Sequence, residues 1–224
     1  MDRYAIIVAG GSGTRMNSVV PKQFLKLSGK PVLIYSLLAF RSCYPSLKIF
    51  LVLPENYIDY WNSLCLENEL TISHQVIPGG EKRYHSVRNA LEKLPSEGFV
   101  AIHDGVRPLI TTHLISRAFE AAGQYGNAVP VTEVNDSVRI LDKNSNRPMN
   151  RQSLRLIQTP QVFDLAPIKN AYLQKFDERF TDDASVLESA GKKIHLIDGD
   201  PYNFKITFPE DIFLAESLLK QRRK

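Results

Sequence analysis

The chain has 224 residues, of which 43% are hydrophobic and 23% are charged, as in an ordinary soluble globular protein. A chain of this length buries most of its apolar surface as one domain, which excludes a disordered, collagen-like or disulfide-dense protein. The net charge is +4, with one basic cluster at 220–224 that reads as a solvated helix end. The other cations are scattered, which favours a small polyanionic ligand over a nucleic-acid duplex.

Short apolar runs alternate with amphipathic segments along the chain. In chain order, the pattern predicts a strand at 4–9, a helix at 32–40, a strand at 48–53, a helix at 57–67, a strand at 73–77, a helix at 84–94, a strand at 99–103, a helix at 112–122 and a strand at 127–131. After an interruption follow an apolar segment at 154–158, helices at 167–176 and 183–190, a strand at 193–197 and a helix at 209–220. Apolar strands separated by helices are typical of a mostly parallel sheet covered on both faces. We predict one doubly wound, Rossmann-like α/β domain over residues 1–224.

The interruption, residues 133–150, is polar and carries the run VRIL at 138–141 before a turn near 144–146. This pattern predicts a β-hairpin. The hairpin has too little apolar surface to belong to the main core, so it is either a lid or an arm that pairs with another subunit.

Cysteine content and hydropathy bear on the compartment. Cys43 and Cys65 form no C-x-x-C pair, which disfavours a structural zinc site and fits a reducing environment. The longest uncharged apolar stretch, 31–40, is too short to cross a bilayer, which takes about 20 residues. The first residues lack the basic and apolar regions of a signal peptide. We therefore expect a cytoplasmic protein that binds neither membrane nor nucleic acid.

The first predicted strand ends in a glycine-rich loop, AGGSGTRM at 9–16. Glycines at this place let backbone N–H groups approach an anion. The loop is not a Walker A sequence, and Met16 replaces the last glycine of a dinucleotide fingerprint. Arg15 and Lys22 flank the loop, and cations held at the α-phosphorus of a triphosphate stabilise the charge that develops during attack. Both are therefore candidate catalytic residues.

The string G-G-x-G-x-R-M followed by P-K-Q at 21–23 resembles the signature of the nucleotidyltransferase family, in its cytidylyltransferase branch. Five later segments resemble motifs of that branch: GGEKRYHSV at 79–87, HDGVRP at 103–108, TPQ at 159–161, FTDDAS at 180–185 and YNFKIT at 202–207. The matches extend from residue 8 to residue 211. Together they are similar to the 2-C-methyl-D-erythritol 4-phosphate cytidylyltransferases.

This resemblance implies roles for individual residues. Those implied to bind the nucleotide are Ala9, Gly10, Gly11, Gly13, Gly80, Glu81, Ser86 and Asp104. Those implied to act in catalysis are Arg15, Lys22, Arg151 and Lys205, and those implied to bind the second substrate are Arg107, Ser137 and Thr181. Arg155 is a nearby competitor for the role of Arg151. Asp104 is also the candidate ligand for Mg²⁺, the implied cofactor, since an aspartate at the carboxyl end of a parallel strand can hold Mg²⁺ or ribose hydroxyls.

The resemblance further implies a reaction and an assembly. CMP would pass from CTP to 2-C-methyl-D-erythritol 4-phosphate, giving 4-diphosphocytidyl-2-C-methyl-D-erythritol and pyrophosphate in non-mevalonate isoprenoid biosynthesis. The protein would be a homodimer joined through the arm at 133–150, and Arg151 would serve its own site or the partner's. A phosphate monoester is already a nucleophile at neutral pH, so the absence of a Ser-His pair fits this chemistry.

Alternatives stay open at this point. A ribitol-5-phosphate cytidylyltransferase shares the loop and the Y-N-x-K string, whereas TDDAS at 181–185 favours the erythritol phosphate acceptor. A non-catalytic nucleotide-binding module would use Arg15 and Lys22 only for affinity. A basic nucleic-acid binder would need an aromatic-interleaved basic element, which the sequence lacks.

Overall fold

The computed structural model of the protein describes residues 1–11 and 20–222. The strands are β1 Arg3–Val8, β2 Lys26–Leu27, β3 Lys30–Pro31, β4 Lys48–Leu53, β5 Gln75–Pro78, β6 Phe99–Asp104, β7 Asn127–Glu133, β8 Val138–Asp142, β9 Ser145–Met149, β10 Arg155–Ile157, β11 Gln161–Asp164 and β12 Leu196–Asp198. The α-helices are α1 Val32–Cys43, α2 Ile58–Glu67, α3 Arg83–Leu91, α4 Thr112–Tyr125, α5 Leu165–Ala171, α6 Asp183–Ser189 and α7 Glu210–Arg222.

The central sheet has the strand order β10-β7-β11-β6-β1-β4-β5, with β12 also paired to β7. β1 lies between β4 and β6 and is parallel to both, and β5 continues the parallel part beyond β4. In this register Val8 of β1 is opposite Val52 and Asp104, so three neighbouring strands end together. The predicted α/β class with a mostly parallel sheet is confirmed.

Helices cover both faces of the sheet because side chains on successive residues of a strand point to opposite faces. Ala5 and Ile7 of β1 pack in one cluster with residues of α1, α2 and α4, whereas Tyr4, Ile6 and Val8 pack in another with residues of α3, α5 and α6. Both sets are buried. Burying a side chain such as Ile6 or Ile7 contributes roughly 1.5–3 kcal/mol, which explains why both faces of the strand are apolar.

Helix ends follow from local chemistry. The Thr111 side chain accepts from the backbone N–H of Leu114 and begins α4, and Gly126 ends this helix with a φ of 82°. The side chains of Asp182 and Ser185 form a capping box at the start of α6.

Several elements differ from the predicted ones. β11 was not predicted, and it runs antiparallel between β6 and β7. Its segment, QVFD after a proline, is short and begins with a polar residue, so periodicity carries little signal there. The predicted helix at 167–176 is α5, at Leu165–Ala171, and the predicted strand at 193–197 is the three-residue β12 at Leu196–Asp198.

The predicted hairpin is present at 138–149 as a separate two-stranded sheet of β8 and β9. Asp142 pairs with Ser145, so the turn consists of Lys143 and Asn144, slightly before the predicted position. Leu141 is 79% exposed, and Met149 is also exposed. Within the described residues, no helix combines the length and apolarity needed to cross a membrane.

Candidate active site

A cavity of about 480 Å³ lies at the carboxyl ends of β1 and β6. This is the edge at which ligands bind in open α/β sheets, and the volume is that of a small-molecule site. The predicted residues that line it are Ala9, Gly10, Gly11, Lys22, Gly80, Glu81, Ser86, Asp104 and Lys205. Gly13 and Arg15 lie outside the described residues, so their predicted roles stay predictions.

The turn between β5 and α3 presents backbone atoms to this cavity. The N–H of Gly80 donates to Ser86 Oγ at 3.0 Å, which closes the turn against the start of α3. A Cβ on Gly80 would lie 2.4 Å from the Cβ of His85, so only glycine fits there. Gly10 faces the same hydroxyl, because a Cβ at this position would lie 3.7 Å from Ser86 Oγ. The two predicted glycine segments therefore meet at Ser86.

Lys22 begins the 3-10 helix Lys22–Phe24 on the opposite wall. Its side chain is buried apart from the cavity face, and its Nζ donates to the carbonyl oxygen of Ile206 at 2.8 Å. The neighbouring Gln23 donates to the carbonyl oxygen of Ala9 at 2.7 Å. The segment therefore connects the end of β1 to the loop that carries Lys205.

Asp104, the last residue of β6, stands at the centre of the charged part of the site. Its Oδ2 accepts from Lys205 Nζ at 3.0 Å and lies 3.7 Å from Arg107 Nε, and its Oδ1 lies 3.3 Å from Arg83 Nε. Burial by itself raises the pKa of Asp104, but the charges of Arg83, Lys205 and Arg107 outweigh it and hold that pKa well below its usual range. The carboxylate is therefore ionised at every physiological pH.

The preceding residue, His103, is fully buried and packs edge-on against Phe40. Thr159 Oγ1 accepts from the backbone N–H of Asp104 at 3.0 Å and lies 3.1 Å from His103 Nδ1. The Thr159 hydroxyl therefore links the backbone of Asp104 to the ring of His103. Burial lowers the pKa of His103 from 6.5 to about 3. His103 is therefore a packed, hydrogen-bonded residue, and no cluster of three or more His, Cys, Asp or Glu side chains suited to a metal occurs in residues 1–11 and 20–222.

The buried imidazole predicts a loss of stability in mild acid. Below pH 6.5 the unfolded chain binds a proton at His103 that the folded protein does not, so the free energy of unfolding falls by up to about 1.4 kcal/mol per pH unit until about pH 3. Urea denaturation of the wild type and of His103→Asn between pH 7 and pH 4 measures this slope. We expect a shallower slope in the variant, and equal slopes would contradict the assignment.

Four other predicted residues lie outside the cavity lining. Arg107 is adjacent to it, because its guanidinium donates to the carbonyl oxygen of Asn203 at 2.7 Å and faces Asp104. Ser137 and Thr181 are exposed. Arg151 is also exposed, donates to the carbonyl oxygen of Asn135 and lies with Arg155 in a separate hollow at the base of the hairpin. The structure of one chain does not bring these three exposed residues to the cavity, and their roles stay predictions.

Two charged residues of the site were not assigned from sequence. Arg83 lines the cavity and pairs with Asp183, which is fully buried at the first position of α6. Each lies inside a segment that the sequence had singled out, at 79–87 and 180–185. The available signal was therefore their position within a motif, since neither periodicity nor charge pattern shows which partner a cation will have.

The chain is similar to known proteins over nearly its whole length. Residues 4–221 match the family described as 2-C-methyl-D-erythritol 4-phosphate cytidylyltransferase. An enzyme of that description from Bacteroides thetaiotaomicron is 45% identical over 219 residues, covering 98% of this chain and 100% of the relative.

Solved structures give the same result. The 2-C-methyl-D-erythritol 4-phosphate cytidylyltransferase of Thermus thermophilus is 30% identical, with a TM-score of 0.79 and coverage of 98% of this chain and 100% of that one. The 4-diphosphocytidyl-2C-methyl-D-erythritol synthase of Anaerococcus prevotii is 28% identical, with a TM-score of 0.82 and coverage of 98% and 96%. The chain therefore belongs to the 2-C-methyl-D-erythritol 4-phosphate cytidylyltransferase family.

Proposed function

We propose that this protein transfers CMP from CTP to the phosphate of 2-C-methyl-D-erythritol 4-phosphate, giving 4-diphosphocytidyl-2-C-methyl-D-erythritol and pyrophosphate in non-mevalonate isoprenoid biosynthesis. Family membership over residues 4–221 supports this substrate pair. The single structural observation that carries the proposal is the cavity itself. It is lined by two glycine segments, whose backbone can lie close to a nucleotide, and by the cations Lys22 and Lys205.

The chemistry is one in-line displacement. An oxygen of the acceptor phosphate forms a bond to the α-phosphorus of CTP, and the bond from this phosphorus to the oxygen bridging to the β-phosphate breaks, with the electron pair leaving on pyrophosphate. The phosphate monoester is a nucleophile at neutral pH, so no base has to remove a proton. Catalysis then depends on holding two anions in line and on neutralising the charge that builds up between them.

The described side chains suit that task. Lys22 would stabilise the charge on the α-phosphate, and Arg15, which lies outside the described residues, is predicted from the sequence to act with it. Lys205 and Arg151 would position the attacking phosphate, with Arg107 and Thr181 as further contacts. In the central cluster the cations Arg83, Lys205 and Arg107 outnumber the carboxylates of Asp104 and Asp183. The surplus positive charge attracts anionic substrates and lowers their mutual repulsion.

We also propose that Mg²⁺ takes part, bound mainly by phosphate oxygens of CTP. Asp104 fits poorly as a direct ligand, because its Oδ2 accepts from Lys205 at 3.0 Å and its Oδ1 faces Arg83 at 3.3 Å. A dication there would be repelled by both. Glu81 also lines the cavity and is exposed. Mg²⁺ commonly keeps several waters and uses few protein ligands beside substrate phosphates.

A pyrophosphate-release assay tests the proposed function. We expect turnover with CTP and 2-C-methyl-D-erythritol 4-phosphate, a much lower kcat/KM with ribitol 5-phosphate, and loss of turnover after chelation that added Mg²⁺ restores. A preference for ribitol 5-phosphate would overturn the acceptor assignment. Binding of CTP without turnover on either polyol phosphate would instead indicate a non-catalytic nucleotide-binding module.

We further propose a homodimer joined through the hairpin of β8 and β9, in a cytoplasmic protein of one domain. The hairpin projects as its own sheet and exposes Leu141 and Met149, whose burial against a second copy would be favourable. Arg151 lies at the base of the hairpin, away from the cavity of its own chain. This placement is consistent with Arg151 serving the partner's site.

Replacing Leu141 by Asp tests the dimer. We expect the wild type to sediment at twice the monomer mass at micromolar concentration and the variant to shift toward the monomer, because a charge would be buried in the interface. If Arg151 serves the partner's site, the variant also loses affinity for the polyol phosphate. Asn144→Asp, at the tip of the same hairpin, adds the same single negative charge and is the matched control. A wild type that sediments as a monomer would contradict the proposal.

A further inference from the structure

The guanidinium of Arg83, at the first position of α3, lies between two carboxylates. Its two terminal nitrogens donate to Asp183 at 2.8 and 2.7 Å, a bidentate pair, and its Nε lies 3.3 Å from Asp104 Oδ1. The side chain is 28% exposed and lines the cavity. Arg83 therefore connects the start of α6 to the carboxylate at the end of β6.

Further contacts hold Asp183, the carboxylate that pairs with Arg83, in place. Asp183 is completely buried, and besides Arg83 it accepts the hydroxyl of Tyr172 at 2.6 Å. The ring of Tyr172 stacks on that of Tyr84, with centroids 4.8 Å apart. A bidentate arginine–carboxylate pair also fixes the plane of the guanidinium. With its plane fixed, Arg83 has its Nε aimed at one oxygen of Asp104.

Asp104, the other carboxylate beside Arg83, also pairs with Lys205. Asp104 presents Oδ1 to Arg83 and Oδ2 to Lys205, whose Nζ lies 3.0 Å away and whose side chain is 40% exposed and lines the cavity, while Arg107 Nε is 3.7 Å from the same Oδ2. A carboxylate shared with a second cation attracts each cation less than an unshared one. Without Arg83, Asp104 would hold the Lys205 ammonium more strongly and leave less of its charge for a ligand.

We propose that Arg83 is a positioning residue that acts through Asp104 to leave the Lys205 ammonium available for the phosphate of the acceptor. The inference rests on the proposed contact between Lys205 and that phosphate. It assigns Arg83 an effect on binding of the polyol phosphate, distinct from contacts of the cavity with the nucleotide.

Arg83→Lys is the single variant that tests this inference most directly. Lysine is one point charge and cannot contact both carboxylates, so it should pair with the buried Asp183 and leave Asp104. We expect the KM for the polyol phosphate to rise about tenfold, as for one lost charge-assisted hydrogen bond, while the KM for CTP changes less than about threefold. Arg88→Lys, one turn further along α3, is the control because Arg88 is exposed and pairs only with Glu92 among the described ion pairs.

A double-mutant cycle with Lys205→Met shows whether Arg83 acts through Lys205. We expect the double variant to have the same KM for the polyol phosphate as Lys205→Met alone. Independent, multiplying effects would overturn the inference and leave the role of Lys205 intact. An unchanged KM in Lys205→Met would overturn the role of Lys205 and the inference with it.

A purely structural role of Arg83 would give another pattern. Then Arg83→Lys would lower the melting temperature and raise the KM values for both substrates together, which would overturn the inference.

Tyr172→Phe is a second, milder variant that keeps the ring stacking and removes only the hydroxyl that fixes Asp183. We expect a smaller rise of the polyol phosphate KM, in the same direction and without a rise of the KM for CTP.

Discussion

Lys22→Met is expected to lower turnover about a thousandfold, the scale measured when one preorganised donor or cation is removed from a transition state. Methionine keeps the buried apolar stem and removes the ammonium, so the protein should still fold. The loss should appear in kcat more than in the KM for CTP, because charge on the α-phosphate increases during attack. The lost hydrogen bond to Ile206 should cost about 1 kcal/mol of stability.

Single-turnover rates at saturating substrates, together with a urea unfolding curve, measure both effects. Lys26→Met is the matched control, since Lys26 is exposed on the neighbouring strand β2 and does not line the cavity. A Lys22→Met protein with a near-normal rate would contradict the catalytic role of this ammonium.

Asp104→Asn is expected to lower the free energy of unfolding by about 3 kcal/mol at pH 7 and to reduce activity strongly. The amide leaves Arg83, Arg107 and Lys205 around a neutral group, and breaking a buried charge cluster typically costs about 3–5 kcal/mol. The folded-state pKa of Asp104 lies well below the ordinary value of 3.8. Its contribution is therefore complete above that value and is lost as the pH falls below it.

Urea denaturation at pH 7 and at pH 3 measures this dependence. The stability difference between wild type and Asp104→Asn should be large at pH 7 and smaller at pH 3, where proton binding by the unfolded chain removes part of the advantage of the carboxylate. Asp59→Asn, an exposed position in the first turn of α2, is the control. A difference that does not change with pH would show that the ionised carboxylate of Asp104 does not stabilise the fold.

The same variant separates two roles of Asp104. If Asp104 were a direct ligand of Mg²⁺, Asp104→Asn would raise the Mg²⁺ concentration needed for half-maximal activity. If it mainly positions the surrounding cations, the Mg²⁺ requirement stays near that of the wild type while the KM for the polyol phosphate rises, because the Lys205 ammonium is no longer held in place beside the cavity. The contacts with Lys205 and Arg83 lead us to expect the second result.

Much of the architecture follows from local patterns. The strand predicted at 48–53 is β4, Lys48–Leu53, because an apolar run bounded by a lysine and Pro54 leaves little choice of ends. Gly79 and Gly80 were recognisable from the sequence as a turn, and in the structure a Cβ on either residue would crowd its neighbours. Elements whose apolar signal is weak, such as β11 and β12, were missed or shifted, since their positions depend on pairing with β6 and β7.

The residues of the candidate site could likewise be predicted only in part. Their places in sequence motifs identified Lys22, Gly80, Ser86, Asp104 and Lys205, and in the structure all five line one cavity. The resemblance also identified Arg151, Ser137 and Thr181, but within one chain these residues do not line the cavity. Their roles stay predictions, because a motif does not specify where the fold places a side chain.

The sequence by itself determined the α/β layering, the chain positions of the loops that line the cavity and the chemical type of each group in them. These properties are local, because they depend on periodicity, on glycine conformation and on side-chain chemistry. Only the tertiary structure decided that Arg83 and Lys205, which lie 21 and 101 residues from Asp104, share its carboxylate. Such a pairing is set by which strands and helices pack together, so no local pattern in the chain specifies it.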